Sequence, residues 1–108
     1  MGLTRGQVVT AAPPGSFGKP RPALVIQAQL RSEETITLAL ITSDLEQFQA
    51  LRVPVMPTAT SGLRHPSEIM TDMIHTLPVG KVGKVIGVLD AATLLQVDAA
   101  LKLHLGLR

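Results

Sequence analysis

At 108 residues, with 45% hydrophobic and 17% charged side chains, the chain has enough apolar surface for one core and is too apolar for an intrinsically disordered segment. Ten Lys and Arg against eight Asp and Glu leave a net charge of +2, a mild excess that suits a polyanionic partner without establishing one. The absence of cysteine excludes disulfides, thiolate metal sites and cysteine nucleophiles, and His65, His75 and His104 show no metal-binding spacing.

One domain over residues 1–108 is expected. The N-terminus carries no apolar leader and no myristoylation signal, and no apolar run approaches a membrane span, so a cytoplasmic location without membrane contact is expected.

Six short runs rich in Val, Ile, Leu and Thr predict strands, at 8–9, 22–29, 35–41, 51–55, 69–74 and 84–89. Between the first two, Ala12-Pro-Pro-Gly-Ser-Phe-Gly-Lys-Pro is turn chemistry, because proline fixes φ and glycine supplies unusual dihedrals. Arg21 then opens the second strand. Thr42 and Ser43 end the third, where an apolar run meets solvent, and either Ser43 or Asp44 is placed to cap a short helical turn over 45–48; Ser43 reads better as that cap than as a site residue. In the fifth run Asp72 and His75 lie three apart and point to opposite faces of a regular strand.

From Asp90 the pattern changes. Leu94, Val97, Leu101 and Leu105 recur at helical spacing, Asp90 is suited to the N-cap and Gly106 to the stop, and Asp98 is placed to pair with Lys102. Leu103 and Leu107, with Leu105, exceed what one apolar face needs and suit packing across a dimer as well as a monomer core. The expected fold is α+β but mainly β: a small barrel of about six short strands closed by a C-terminal amphipathic helix.

Four stretches then fall into order: Arg5-Gly6-Gln7-Val8-Val9, Gly18-Lys19-Pro20-Arg21-Pro22-Ala23-Leu24-Val25-Ile26, Leu40-Ile41-Thr42-Ser43, and Val97-Asp98-Ala99-Ala100-Leu101. Together they resemble the MazF/PemK class of toxin endoribonucleases, over nearly the whole chain. No single stretch is diagnostic; their order and spacing in a chain of this size are fairly specific. The resemblance implies an SH3-like barrel, a homodimer with single-stranded RNA in a groove at the dimer face, cleavage without metal or other cofactor, and a cognate antitoxin that blocks the groove.

It also assigns roles. Arg21 matches the family's catalytic arginine and Thr42 its catalytic threonine. A guanidinium stays charged and grips two phosphate oxygens at once, and a strand-end hydroxyl can donate to a phosphate. Cleavage through the 2′-OH needs proton transfer as well and leaves a 2′,3′-cyclic phosphate and a 5′-OH. Asp72 and His75 are the candidates for that step, although relatives carry arginine where His75 stands and sometimes at Met70. Phe17 and Phe48 are candidate base clamps, each also readable as an anchor for its own loop; Lys19, Ser43, Arg52 and Arg64 are candidate RNA contacts, and 58–64 is a polar loop able to reach bases. The missing arginines keep two alternatives open, a gyrase-binding toxin that cuts nothing and a degenerate RNA-binding dimer.

Overall fold

The computed structural model describes residues 2–15, 17–28, 34–47 and 49–108. Six strands, β1 (Gln7–Ala11), β2 (Arg21–Val25), β3 (Thr35–Thr42), β4 (Arg52–Val55), β5 (Ser67–Pro78) and β6 (Val82–Val88), precede one helix, α1 (Ala91–Leu105). All six expected strands are present. β5 runs four residues past the expected Ile74, and a single 3₁₀ turn at Val79–Lys81 links it to β6.

The strands form one antiparallel sheet in the order β4-β5-β3-β2-β1-β6. Among the described residues no ladder joins the edge strands β4 and β6. The loop after β4 reaches β6 instead, where the Val88 N–H donates to the Thr60 carbonyl at 2.9 Å.

Both sheet faces are covered, which explains why Ala23-Leu24-Val25 is an unbroken apolar run. Leu24, Ala39, Ile41, Val53 and Ile69 pack with Val8 and with Val97 and Ala100 of α1. Their strand neighbours Ala23, Val25, Ile36 and Leu38 build a second cluster with Val9 and Leu77. Fully burying a side chain such as Leu24, Leu38 or Ile69 is worth about 1.5–3 kcal/mol.

α1 begins and ends where expected. The Asp90 side chain accepts from the Thr93 N–H at 2.7 Å, and Gly106, at φ 70°, turns the chain out while its N–H bonds the Lys102 carbonyl. Two expectations fail. Leu94, Val97 and Leu101 pack inward, but Leu105 is exposed with Leu95, Leu103 and Leu107, so those side chains do not serve the monomer's core. Asp98 pairs with Arg5 at 2.5 Å and not with Lys102 one turn on, because Arg5, whose Nε–H donates to the Ile26 carbonyl at 2.9 Å, is already directed at the helix. No helix is long and apolar enough to cross a membrane among the described residues.

One irregularity interrupts the β3–β5 ladder. Ala39 pairs with Ile74 while the next residue, Leu40, pairs with Met70, so Thr71, Asp72 and Met73 bulge out of the β3 ladder. Thr71 turns to the other neighbour, its N–H and Oγ1–H both donating to the Leu51 carbonyl, at 3.0 and 2.6 Å.

Candidate active site

A cleft of about 800 Å³ opens between the β1–β2 loop, the start of β2, the end of β3 and the loop after β4. Arg21, Thr42, Ser43 and Arg64 all line it, brought together from three parts of the chain. Ladder pairing explains the floor. Leu40 stands opposite Met70 and Thr42 opposite Glu68, so these four side chains share the sheet face that Ile41 and Ile69 leave for the core.

Arg21 is the first residue of β2, flanked by Pro20 and Pro22, and its backbone lies opposite Ala11 at the end of β1. The prolines fix φ on either side. The result is an exposed guanidinium on a stiff strand end at the cleft.

Thr42 closes β3. Its Oγ1 accepts the Asp44 N–H at 3.0 Å, a local turn that leaves the hydroxyl's own proton to donate. This bond displaces the expected helical turn: residues 45–47 are not helical, and Ser43 caps nothing but lies exposed in the cleft wall.

The loop after β4 carries Arg64 and His65 into the cleft. It is tightly built. Thr58 and Ser61 exchange side-chain and backbone hydrogen bonds at 3.0 Å each, the buried Ser61 Oγ–H donates to the Met56 carbonyl at 2.9 Å, and the Gly62 N–H reaches the Thr58 carbonyl at 3.0 Å. The sequence does not single out His65 as a site residue, because the motifs that carry the resemblance lie on either side of this loop and not in it. Among the side chains lining the cleft, the ionisable ones are Arg21, Arg64 and His65.

Other candidates stand elsewhere. Asp72 is exposed on the β5 bulge, and His75 pairs with Leu38 beyond it; neither lines the cleft. The bulge breaks the regular alternation that had set them on opposite faces. Phe17, at φ 55°, is 98% exposed, so it does not anchor its loop to the core. Lys19 is exposed beside the cleft residue Pro20. Arg52 does not track a ligand: its side chain is 15% exposed and bonds Glu46, Glu68 and the Asp44 carbonyl. Phe48 lies outside the described residues. No three His, Asp or Glu side chains are grouped to hold a metal ion among the described residues.

Glu68 is the one carboxylate of the region sealed from solvent, at 4% exposure. The N–H of Glu46 donates to Oε1 at 3.0 Å, that of Gln47 to Oε2 at 3.1 Å, and Arg52 Nη1 to Oε1 at 3.1 Å. The Glu46 amide above all, with Arg52 and the Gln47 amide, holds its carboxyl below the usual glutamate range against the opposing effect of burial.

Residues 4–105 match the family described as PemK-like, MazF-like toxin of type II toxin-antitoxin system. A probable endoribonuclease MazF of Mycolicibacterium smegmatis is 32% identical over 107 residues, which cover 97% of this chain and 98% of that protein. The Mycobacterium tuberculosis toxin MazF-mt6 superposes with a TM-score of 0.79 at 28% identity, over 94% of this chain and 98% of the other. An endoribonuclease in complex with its cognate antitoxin from mycobacterial species shares the fold, with a TM-score of 0.83 at 23% identity over 99% of this chain and 98% of its own.

Proposed function

The chain belongs to the PemK-like, MazF-like toxins of type II toxin-antitoxin systems, and we propose that it is a metal-independent endoribonuclease that cuts single-stranded RNA, mRNA included, at short sequences. It works in the cytoplasm as a homodimer, stops translation and growth, and is restrained by a cognate antitoxin.

The observation that carries this reading is the meeting of Arg21 and Thr42, from separate strand ends, in one open cleft. The 2′-oxygen attacks phosphorus and the bond to the 5′-oxygen breaks, giving a 2′,3′-cyclic phosphate and a 5′-OH. Arg21 binds two phosphoryl oxygens and Thr42 donates its free proton to the same group, stabilising charge as it builds. One proton must leave the 2′-OH and one must reach the 5′-oxygen. His65, the histidine of the cleft, is proposed for proton transfer ahead of Asp72 and His75, which lie outside it.

Arg64 and Ser43 contact RNA beside the cut, Lys19 adds charge nearby, and the exposed Phe17 offers a stacking face to a splayed base. The exposed leucines of α1 suit a protein partner, a second copy or the antitoxin.

The test is incubation of RNA with the purified protein in EDTA, with the new 5′ ends mapped. Cleavage leaving 5′-OH ends, strongly slowed in folded Arg21→Ala and Thr42→Ala, is expected; intact RNA with folded wild type overturns the reading. A second reading, RNA binding without cleavage, is favoured by the position of Asp72 and His75 outside the cleft, and it predicts retained but uncut RNA in the same tubes.

A further inference from the structure

Thr42 and Glu68 are directly opposed in the β3–β5 ladder, one lining the cleft and the other buried. A buried carboxylate is unfavourable unless hydrogen-bonded, and a strand position between Thr42 and Pro54 would accept an apolar side chain. The partners of Glu68 are therefore informative. Both amides that it accepts, from Glu46 and Gln47, belong to the loop that leaves Thr42, and Gln47 is held there at φ 45°, a conformation that non-glycine residues rarely adopt.

Arg52 completes the arrangement. Its Nη1 bridges Glu68 Oε1 at 3.1 Å and the Asp44 carbonyl at 3.0 Å, while Nη2 lies 3.2 Å from Glu46 Oε2. Asp44 is thus gripped on both sides of its backbone, by Arg52 at its carbonyl and by Thr42 Oγ1 at its N–H, 3.0 Å away. That last bond occupies one lone pair of the Thr42 oxygen and so restricts where its proton can point.

We propose that Glu68 and Arg52 are positioning residues for cleavage: they clamp the 44–47 loop, and through the Asp44 amide they fix the direction in which the Thr42 hydroxyl donates. The inference rests on the reading of Thr42 as a phosphate donor. The depressed carboxyl of Glu68 keeps the clamp charged at neutral pH. Glu68 touches no substrate; its effect is exerted entirely through Thr42, and that sets it apart from a residue that merely stabilises the fold.

The test is single-turnover cleavage of single-stranded RNA in EDTA, enzyme in excess, by wild type, Glu68→Gln, Thr42→Ala and the double variant. Asp44→Pro is added because it removes the linking N–H while Glu68 and Arg52 themselves stay unchanged. Glu68→Gln and Asp44→Pro are expected to slow cleavage roughly 10- to 100-fold with RNA affinity unchanged, and Glu68→Gln to cost nothing further once Thr42 is alanine. Full loss in both backgrounds, or weakened RNA affinity with an unchanged rate, overturns the clamp. If Glu68→Gln fails to fold, Asp44→Pro decides alone. Wild-type rates in Glu68→Gln and Asp44→Pro with Thr42→Ala slowed sink the clamp and spare the reading of Thr42; a fully active Thr42→Ala, or a wild type that leaves RNA intact, sinks both.

Discussion

Gly62 and Gly87 pack backbone against backbone: a methyl on Gly62 would strike the Ile86 carbonyl, and one on Gly87 the Ser61 carbonyl. Gly62 also sits at φ 72°, which side-chain-bearing residues rarely adopt. This contact, with the Val88 to Thr60 hydrogen bond, seats the loop that carries Arg64 and His65 against the edge strand β6. Either glycine changed to alanine should destabilise the protein by about 2–3 kcal/mol, through overpacking at Gly87 and added backbone strain at Gly62. Urea unfolding measures it; a change within about 0.5 kcal/mol would mean that the loop yields freely.

Arg21→Ala should lower kcat by about 10²–10³, the usual effect of losing one donor to a developing oxyanion. Arg21→Lys should recover only part of this, since an ammonium is a point charge and cannot form the planar two-oxygen grip. Rates in EDTA equal to wild type would remove Arg21 from the chemistry.

Arg64 and His65 share a loop but should separate kinetically. Arg64→Ala should raise KM and make the salt dependence of RNA binding shallower by about 0.7 in log–log slope, as for one lost contact to a single strand. His65→Ala should lower kcat by about 10² or more, with RNA affinity held. If both variants change only KM, His65 is a binding residue and proton transfer lies with other groups.

The helix cap gives a pH-dependent prediction. Hydrogen bonds from the Thr93 side chain and then its N–H hold the Asp90 carboxyl below its ordinary 3.8. The folded value is lower than the unfolded one, so the cap's stabilisation is complete above pH 3.8 and fades as the pH falls through the folded value. Asp90→Ala should therefore melt below wild type at pH 7, with the gap closing in strong acid, while Asp90→Asn, whose amide does not titrate, should stay near wild type at pH 7 and melt above it in strong acid. An Asp90→Ala gap that stays constant down to pH 2 would contradict this.

Arg5 joins the first turn of the chain to α1 through Asp98 and to the end of β2 through the Ile26 carbonyl. Both charged side chains are about a third exposed, which screens the pair. Arg5→Ala should cost about 1 kcal/mol, Asp98→Asn somewhat less, and added salt should narrow the Asp98→Asn difference. Salt-independent losses would show that Arg5 works by packing alone.

The same Arg5-Gly6 pair marks how far a motif can be read. As sequence it identifies relatives; in the fold, Arg5 pins the helix, and Gly6, at φ 100°, lets the Leu94 side chain approach where a Cβ would stand 3.0 Å from Leu94 Cδ1. Asp98, by contrast, was assigned by helical spacing to Lys102, because that rule sees only neighbours one turn away. Arg52 reads in the sequence as a candidate RNA contact for a similar reason: nothing local announces that a glutamate sixteen residues later will be buried beside it.

Six strands, the helix and its two caps were legible from the amino acids alone, since alternation, helical spacing, Asp90 and Gly106 act through residues adjacent along the chain. The strand-end positions of Arg21 and Thr42 were legible too, through the motifs around them. Tertiary structure decided what surrounds them. Asp72 and His75 lie in and beyond the β5 bulge, outside the cleft, the fit of Gly62 against β6 brought in Arg64 and His65, and the Glu68 carboxylate took the loop after Thr42 in hand. Each depends on partners many residues apart, whose register and close approach exist only once the sheet has formed.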